Sequence, residues 1–588
     1  MRLKLILVFI GVITVLLLGR VYYLSIMSNS YYEELSKKNY IKKFYTTPSR
    51  GAILDRNGKY LAINKVGFSI NLKPHLRSKK KFQAVEEVAK LIVTHFPQFK
   101  YEKLIKKYKQ LDSPYRHDLI KLVNYVAYDD FFKYYAIFNS NENVEIESST
   151  IREYLYNDVA AHILGYMGKT TKRDIKEDPQ SKHFDKSGRS GIEKYYDNRL
   201  RGTLGYQEVQ VNSLYQKLKV LKEVKPKRED VQLTIDIELQ EFIHKQFEGK
   251  AGAAVVMDVE TGELLAAGSF PEFDNNLFVN GISHEDWKKI KEDFNHPFTN
   301  KLVNGLYPPG SVMKMGVGIA FLENKIKPSF RVYCNGSMQL GERNFRCWKE
   351  DGHLRTGFIK AIRESCDDFF YKGSLKVGIN KISETLGRFG IGKKTGVDLP
   401  SEFIGINPDK AWKRKKHNLP WYMGETVVSS IGQGFINVTP MQIARYTGAI
   451  AVNKLQRPHL LKDDSLIKTV DTNISKRDIR LMQKGMYHVA NKPNGTAVHH
   501  IRSRITVAAK TGTAQVVSIP QSEKTRMKEH ELEYFKRSQA WLTTYAPFEN
   551  PQYVVTILVE HGGHGGSAAG PMVGKIYNKL LELGYIKK

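Results

Sequence analysis

The first strongly patterned segment of the chain is an apolar run near its N-terminus. Between residues 5 and 19 the only polar side chain is that of Thr14, and after Arg20 the run resumes as far as residue 27. At about 1.5 Å per helical residue, these 23 residues can cross an apolar bilayer core of roughly 30 Å. The pattern predicts an uncleaved transmembrane helix. A cleaved signal peptide is the alternative, although bulky aromatic residues follow the run where a cleavage site would need small ones.

The charges beside this run favour a cytoplasmic N-terminus. Arg2 and Lys4 precede the span, and cationic residues tend to stay on the cytoplasmic side. Lysines beyond the span weaken this signal, but long domains are translocated largely regardless of charge. We therefore expect residues 1–28 to form a cytoplasmic tip and a single-pass anchor, with the bulk of the chain outside the cytoplasm.

Strand-like apolar runs occur at both ends of the C-terminal part. Residues 253–267 form two such runs around a polar turn at 260–263, which predicts a β-hairpin. Later come a predicted strand, a second hairpin and an amphipathic helix, at residues 505–509, 540–546 with 553–559, and 572–583. Mostly helical and irregular sequence lies between them. The pattern predicts an α+β domain in which both ends of the domain build one antiparallel sheet flanked by helices.

A charged, proline-containing stretch at residues 222–230 precedes this domain. Its composition is typical of an exposed linker, so we place a domain boundary there. The predicted domains beyond the anchor are residues 29–230 and residues 231–588. The first mixes short strand-like runs with Lys-rich helical patterns and contains no convincing catalytic set.

The net charge is strongly positive. The 91 Lys and Arg residues against 61 Asp and Glu residues give +30, which by itself suggests a polyanionic partner. The predicted topology puts nearly all of this charge outside the cytoplasm, so we expect no nucleic-acid partner. A solvated Lys-rich surface accounts for the basic clusters, and attraction to anionic lipid near the anchor is the alternative.

The most informative candidate for chemistry is the segment YPPGSVMK at residues 307–314. Pro and Gly form a turn and a helix-compatible run follows, so Ser311 is predicted at a helix N-terminus. Residues i and i+3 share a helix face, which places the Lys314 amine beside the Ser311 hydroxyl as its base. Backbone N–H groups at such a terminus can stabilise an oxyanion. Two other S-x-x-K matches, at Ser78 and Ser465, lack this context.

Two more motifs supply candidate partner residues for Ser311 and Lys314. Ser365, Cys366 and Asp367 fit an S-x-[ND] pattern 54 residues after Ser311. Further on, a K-T-G-T run follows the predicted strand at 505–509 and comprises Lys510, Thr511, Gly512 and Thr513. A second K-T-G, beginning at Lys394, lies in a predicted loop.

These three motifs in this order are the signature of penicillin-binding proteins and related serine β-lactamases. Further segments resemble class B penicillin-binding proteins: RGAILDRNG at 50–58, GIEKYY at 191–196, IGQG at 431–434 and Thr439-Pro440. The motif matches run from residue 50 to residue 513. Asp367, where many relatives have Asn, resembles the elongation-specific, rod-shape branch.

The resemblance implies a role for each motif residue. Ser311 would attack the D-alanyl-D-alanine carbonyl of a peptidoglycan stem peptide and form an acyl-enzyme, and Lys314 would accept its proton. Ser365 and Lys510 would relay protons, with Asp367 in the same catalytic set. The K-T-G-T residues would bind the substrate: Thr511 and Thr513 would hold its carboxylate beside Gly512, and the N–H groups of Ser311 and Thr513 would form the oxyanion hole. β-Lactams would acylate the same serine.

All three cysteines lie within 33 residues of one another. Cys334, Cys347, His353 and Cys366 have the spacing C-x12-C-x5-H-x12-C. Three thiolates and one imidazole make a closed tetrahedral set that suits a structural Zn²⁺, with no open position for catalysis. A Cys334–Cys347 disulfide with a buried Cys366 is the alternative. Some elongation-type relatives resemble this chain in placing metal ligands in this segment.

The predicted function is therefore a membrane-anchored serine D,D-transpeptidase that crosslinks peptidoglycan during cell elongation. The alternatives are a D,D-carboxypeptidase or β-lactamase, in which water deacylates the serine, and a non-catalytic penicillin-binding scaffold or sensor. The resemblance implies an inner-membrane location with a periplasmic catalytic domain on a pedestal (dimerisation-type) domain. It also implies two partners, a membrane glycosyltransferase of the elongation complex and a periplasmic rod-shape scaffold protein.

Overall fold

The structure is a computed structural model that describes residues 2–27, 34, 40–115, 118–212, 217–516 and 529–587. The chain divides into two compact units. The first unit contains Met1–Gly51, Thr170–Asp185 and Asn198–Glu229. The second unit contains Ala52–Lys169, Lys186–Asp197 and Asp230–Lys588.

The elements up to residue 232 are short strands and helices. The strands are β1 (Ile41–Thr46), β2 (Ile53–Leu54), β3 (Tyr60–Leu72), β4 (Ile120–Ala127), β5 (Val144–Tyr154), β6 (Met167–Lys169), β7 (Lys186–Gly188), β8 (Gly205–Val211), β9 (Lys217–Val224) and β10 (Val231–Gln232). The helices are α1 (Arg2–Tyr22), α2 (Lys79–His95), α3 (Tyr101–Leu111), α4 (Tyr128–Phe132), α5 (Tyr135–Asn139), α6 (Ala161–Leu164), α7 (Lys172–Glu177), α8 (Gly191–Tyr195) and α9 (Asp197–Arg201).

The elements after residue 232 contain more helix. The strands are β11 (Gly252–Asp258), β12 (Leu264–Phe270), β13 (Arg331–Cys334), β14 (Ser337–Leu340), β15 (Arg343–Arg346), β16 (Leu354–Gly357), β17 (Lys454–Gln456), β18 (Thr469–Asp471), β19 (Ala508–Ala514), β20 (Gln539–Ala546) and β21 (Tyr553–Val559). The helices are α10 (Ile237–Gln246), α11 (His284–Glu292), α12 (Lys314–Glu323), α13 (Phe358–Arg363), α14 (Asp367–Val377), α15 (Ile379–Arg388), α16 (Lys410–His417), α17 (Met423–Ser429), α18 (Pro440–Val452), α19 (Lys476–Asn491) and α20 (Gly565–Glu582).

The N-terminal apolar run forms one continuous helical segment. Helix α1 is followed directly by a π-helical turn at Tyr23–Met27. Within Leu3–Met27, an 18-residue window has a mean hydropathy of 2.5 and none of its residues is buried. By length and composition this helix is able to cross a membrane.

The first unit contains a three-stranded sheet of order β1-β8-β9. Every residue of β9 is exposed. Residues 222–224, which the sequence suggests as part of a linker, are in this strand, because their backbones pair with β8.

The second unit contains two larger sheets. One has the order β10-β2-β3-β4 with β5 also paired to β3, and helices α2 and α3 pack an aromatic-rich core against it. Strand β2 pairs in parallel with β10, so residues 53–54 lie beside residues 231–232. The compact units therefore do not follow the predicted division at residue 230, and the predicted domain boundaries remain a prediction.

The other large sheet is the five-stranded antiparallel sheet expected from the sequence. Its order is β12-β11-β21-β20-β19, so two strands from the start of the domain pair through β11 with three strands from its end. On β20, Thr543 bonds the Thr447 hydroxyl of α18 at 2.7 Å, and Thr544 bonds the Tyr577 hydroxyl of α20 at 2.9 Å. Neighbouring strand residues face opposite sides, so α18 and α20 cover opposite faces of the sheet. The predicted α+β fold is confirmed.

Two element boundaries differ from the prediction. Strand β19 runs from Ala508 to Ala514 and contains the K-T-G-T run, which the sequence suggests follows the strand. Helix α20 begins at Gly565, seven residues before the predicted start at residue 572. A Cβ on Gly565 would lie 2.0 Å from the carbonyl oxygen of Trp541, so this glycine lets the helix start against the sheet.

Candidate active site

Ser311 lies in a 3-10 helix, Gly310–Met313, that continues directly into α12. The Gly310 N–H donates to the Gly432 carbonyl at 2.8 Å. Gly310 has φ +57°, and a Cβ there would lie 3.1 Å from the Thr513 carbonyl, so the position requires glycine. Ser311 is half-buried, whereas the first nine residues of α12, including Lys314, are buried.

Ser365 connects the two lysines of the predicted catalytic set. The Lys314 ammonium donates to the Ser365 carbonyl at 2.8 Å and lies 3.3 Å from its hydroxyl oxygen. The Lys510 amine lies 3.0 Å from the same hydroxyl oxygen. Ser365 has φ +54°, a left-handed conformation whose strain in a non-glycine residue is of order 1–3 kcal/mol. The Lys314 contact to its carbonyl helps to hold that conformation.

Asp367 joins this cluster to a neighbouring loop. Its Oδ1 accepts from Lys314 at 2.6 Å, and its Oδ2 accepts from the Trp348 N–H at 2.9 Å. Its own N–H points to the Cys347 sulfur at 3.3 Å. Burial raises the pKa of Asp367 and the charge of Lys314 opposes that effect. Burial and the charge of Lys314 lower the pKa of Lys510 well below its ordinary value, which favours an amine able to accept a proton.

The K-T-G-T strand passes directly beside the Ser311 turn. A Cβ on Gly512 would lie 3.0 Å from the Pro309 carbonyl, so a side chain there would push the strand away from the turn. Thr511 is buried and its hydroxyl bonds the Thr496 hydroxyl at 2.7 Å. Sequence reasoning did not find Thr496, because a single threonine in a loop carries no motif.

The turn before Ser311 is fixed by three further contacts. The backbone of Tyr307 pairs with that of Val438, at 3.0 and 2.9 Å. The Tyr307 hydroxyl donates to Glu560 at 2.6 Å, and the Trp541 indole donates to the Pro308 carbonyl at 3.1 Å. Contacts from several sides therefore hold the turn that precedes Ser311.

The second K-T-G motif has a different environment. The N–H and hydroxyl of Thr395 both donate to Glu402, at 2.6 and 2.5 Å, and the N–H of Gly396 donates to its other oxygen at 3.1 Å. The Glu402 carboxylate therefore already accepts the hydrogen bonds that this loop would otherwise donate to a ligand. The motif at Lys394 closes a loop and does not line the site.

The four predicted metal ligands converge in one buried cluster. The sulfurs of Cys334, Cys347 and Cys366 and a ring nitrogen of His353 all lie within 4.8 Å of one another. All three cysteines are in the described part of the chain and none of them forms a disulfide. Hydrogen bonds from Cys347 and Cys366 lower the pKa of Cys334, so the cluster favours a thiolate, the form that binds metals.

Short elements bring these four ligands together. The antiparallel pair β13 and β16 aligns Cys334 with Leu354, next to His353. Cys347 follows the hairpin β14–β15, and Cys366 is the N-cap of α14. The next residue of that helix is Asp367, so the ligand cluster and the lysine cluster are joined through adjacent residues.

Comparisons with known proteins assign the chain to a family. The penicillin binding protein transpeptidase domain matches residues 252–582, and the penicillin-binding protein dimerisation domain matches residues 45–233. The chain therefore belongs to the penicillin-binding protein transpeptidase family.

Individual relatives refine this assignment. The Escherichia coli K12 protein "Peptidoglycan D,D-transpeptidase MrdA" is 33% identical over 98% of this chain and 92% of its own length. A solved complex between penicillin-binding protein PBP2 and MreC from Helicobacter pylori is 42% identical, with a TM-score of 0.86 over 93% of this chain and 99% of that one. A solved peptidoglycan synthase complex has a TM-score of 0.69 at 24% identity, over 100% and 99% of the two chains, and shows the shared fold alone. The predictions of an elongation-specific class B penicillin-binding protein and of a peptidoglycan D,D-transpeptidase are confirmed.

Proposed function

We propose that Ser311 is the nucleophile of this transpeptidase and that Lys314, Ser365 and Lys510 move its proton. The observation that carries this proposal is the position of Ser365, whose hydroxyl oxygen lies 3.3 Å from the Lys314 amine and 3.0 Å from the Lys510 amine. Lys314 is one helical turn from Ser311, and hydrogen bonds to the Ser365 hydroxyl connect Lys314 with Lys510.

Acylation follows from this arrangement. Lys314 first passes one proton through the Ser365 hydroxyl to the Lys510 amine. The neutral Lys314 amine then accepts the Ser311 proton as the Ser311 oxygen attacks the carbonyl carbon of the penultimate D-alanine. The peptide bond to the last D-alanine breaks, and the proton reaches the leaving amine through the Ser365 hydroxyl. Lys510, whose pKa burial lowers, donates to that hydroxyl or accepts from it.

Backbone and strand groups would bind the rest of the substrate. The backbones of residues 310 and 513 are in contact, which supports an oxyanion hole built from the N–H groups of Ser311 and Thr513. Thr511 and Thr513 would hold the terminal carboxylate, with Thr496 fixing the Thr511 hydroxyl and Gly512 allowing close approach. An amine of a neighbouring stem peptide then attacks the acyl-enzyme, which forms the crosslink and frees Ser311.

Labelling with a fluorescent penicillin tests the nucleophile, because a β-lactam acylates the same serine. Wild type should be labelled and Ser311→Ala should not. The matched control is Ser465→Ala, which changes the exposed S-x-x-K motif. Labelling that survives Ser311→Ala would refute the assignment.

The reaction product distinguishes transpeptidation from hydrolysis. With lipid-linked peptidoglycan polymer as the substrate, we expect crosslinked dimers together with released D-alanine. Trimmed monomers alone would favour a carboxypeptidase, and absence of turnover with intact labelling would favour a non-catalytic scaffold.

The cysteine and histidine cluster is proposed to hold a structural Zn²⁺. A tetrahedral zinc with bonds of about 2.3 Å to sulfur and about 2.0 Å to nitrogen places these ligands about 3.5 Å apart. The His353 Nδ1 lies 3.4 Å from the Cys347 sulfur and 3.7 Å from the Cys334 sulfur, which fits that spacing. When bound, the ion would supply structural crosslinking of β13, β16, the β14–β15 hairpin and the start of α14.

Metal analysis tests this proposal. Protein purified without chelator should contain about one zinc per chain, and its removal should lower the thermal midpoint and slow penicillin labelling. Cys366→Ser should reproduce both effects. A Cys334–Cys347 disulfide found by mass spectrometry, with no zinc, would refute the proposal.

The remaining parts of the proposal concern location and partners. The N-terminal helix supports a single-pass inner-membrane anchor. The proposed orientation, with a cytoplasmic tip and the rest of the chain in the periplasm, rests on Arg2 and Lys4 before the span. The solved complex of a relative with MreC supports binding to a periplasmic rod-shape scaffold protein. The second proposed partner, a membrane glycosyltransferase of the elongation complex, rests on the family resemblance of the sequence motifs. Proteolysis of spheroplasts should degrade all but the first span, and co-purification from membranes should recover both partners.

A further inference from the structure

Helix α16 carries a high density of exposed positive charge. Four of its eight residues, Lys410, Arg414, Lys415 and Lys416, are exposed cations. None of these four forms an ion pair with a carboxylate in the described part of the chain. Cations at the C-terminal end of a helix interact favourably with its dipole, but one cation would be enough for that effect.

A fifth cation fixes this helix in place. Lys413 is buried and pairs with Glu425 of α17. Its ammonium lies 4.6 Å from the ring centre of Tyr422 and 5.7 Å from that of Phe435. A buried lysine held by a carboxylate and aromatic rings makes the helix a rigid support, because moving it would leave a charge buried and unpaired.

Helix α16 packs against the segment that contacts the turn before Ser311. The ring of Phe435 lies 5.3 Å from those of Trp412 and His417, both in α16. Phe435 is three residues from Gly432, whose carbonyl accepts the N–H of Gly310 beside Ser311 at 2.8 Å. The exposed cations are therefore carried by the same stretch of structure that positions the nucleophile's turn.

We propose that the exposed face of α16 binds the carboxylate-rich stem peptides of a peptidoglycan strand while one of its peptides occupies the site. The inference rests on the proposed function, since a transpeptidase must hold two strands and an uncrosslinked strand is a polyanion. Opposite charge at the rim of a cleft raises the local concentration of such a substrate and its rate of association. Guanidinium and ammonium groups are the natural partners of carboxylates.

The test uses full-length protein in neutral detergent and insoluble peptidoglycan sacculi as the probe. The variant replaces Arg414, Lys415 and Lys416 by glutamine. The matched control replaces three exposed cations of α2 and α3, Lys90→Gln, Lys103→Gln and Lys106→Gln, so both proteins lose the same charge. Sedimentation at low salt should show about fivefold weaker binding for the α16 variant and little change for the control.

Two further measurements identify the partner. Amidation of the carboxylates of the sacculi should weaken wild-type binding to the level of the variant, and the difference should shrink near 0.15 M salt, where charges are screened over about 8 Å. Equal binding by variant and wild type overturns the proposal. So does a variant that binds sacculi normally but loses retention on beads coated with anionic phospholipid, because the surface would then face a membrane.

Penicillin labelling separates this inference from the proposed function. A β-lactam is too small to need α16, so the variant should be labelled at the wild-type rate, which also reports that its site is folded. If penicillin does not label the wild-type protein, the proposed function is refuted. Normal labelling with unchanged sacculus binding would refute this inference alone.

Discussion

Replacing Asp367 by asparagine tests the contacts by which this residue connects Lys314 with the loop at Trp348. The wild-type carboxylate accepts on both oxygens, from Lys314 at 2.6 Å and from the Trp348 N–H at 2.9 Å. An asparagine of the same shape has one acceptor and one donor. Whichever way its amide turns, an NH₂ group faces either the Lys314 ammonium or the Trp348 N–H.

The expected loss of stability is large for so small a change. Lys314 is fully buried and Asp367 nearly so, and removing one partner of a buried ion pair costs about 3–5 kcal/mol. In a domain of this size we expect the thermal midpoint to fall by roughly 5–15 °C. Penicillin labelling should slow by at least about tenfold, because Lys314 loses the contact that holds it against Ser365.

Differential scanning fluorimetry and time-resolved penicillin labelling measure the two effects. The control is Glu384→Gln, which breaks the exposed ion pair between Lys381 and Glu384 and should leave both quantities unchanged. An Asp367→Asn variant that retains the wild-type midpoint and labelling rate would refute this prediction. Such a result would mean that the carboxylate charge contributes nothing to this cluster.

Three further predictions concern other parts of the second unit. Burial raises the pKa of Glu272 to about 7, and its hydrogen bond raises the pKa of His244, so the folded state binds extra protons. That stabilisation is complete below about pH 4.5 and is lost as the pH rises through 7. Denaturant titrations from pH 5 to 8 should therefore show that the free energy of unfolding falls by up to about 3 kcal/mol, and Glu272→Gln should remove most of this pH dependence. Gly565→Ala should destabilise the fold and slow penicillin labelling, because its Cβ would lie 2.0 Å from a carbonyl oxygen. The control is Gly387→Ala in α15, whose Cβ would have its nearest neighbour 3.7 Å away and which should be neutral or stabilising in thermal melts. Tyr307→Phe removes only the hydroxyl that bonds Glu560, so we expect roughly tenfold slower acylation with little change in the affinity for penicillin, and an unchanged acylation rate would show that this contact does not position Ser311.

The sheet could be predicted from the sequence because its strands are short apolar runs with clear turns between them. The end of β19 was missed because Lys510 to Thr513 are polar or glycine, and their place in the strand depends on pairing with β20. The start of α20 was missed because its glycines have low helix propensity. Contact with the sheet outweighs that propensity, and no local pattern contains this information.

The site was predictable as a set of motifs but not as a geometry. Spacing alone does not reveal that Ser365 stands between two amines, since 145 residues separate it from Lys510. The double role of Asp367 depends on a loop that begins 19 residues earlier, at Trp348. The S-x-x-K and K-T-G motifs were distinguished from their duplicates by local context, and that context reflects real differences in burial and partners.

The strand order of the large sheet has a consequence for synthesis of the chain. Strand β11, near residue 255, lies between β12 and β21, and β21 is completed only at residue 559. About 300 residues must therefore emerge before the open edge of β11 is covered, a wait of roughly 15–60 s at 5–20 residues per second. During that time a strand that is apolar from Ala253 to Met257 presents unpaired backbone groups, which favours aggregation. A chain that stops before residue 553 leaves that edge open permanently, so loss of its last 36 residues should separate the β11–β12 pair from the β19–β20 pair and not only remove the final helix.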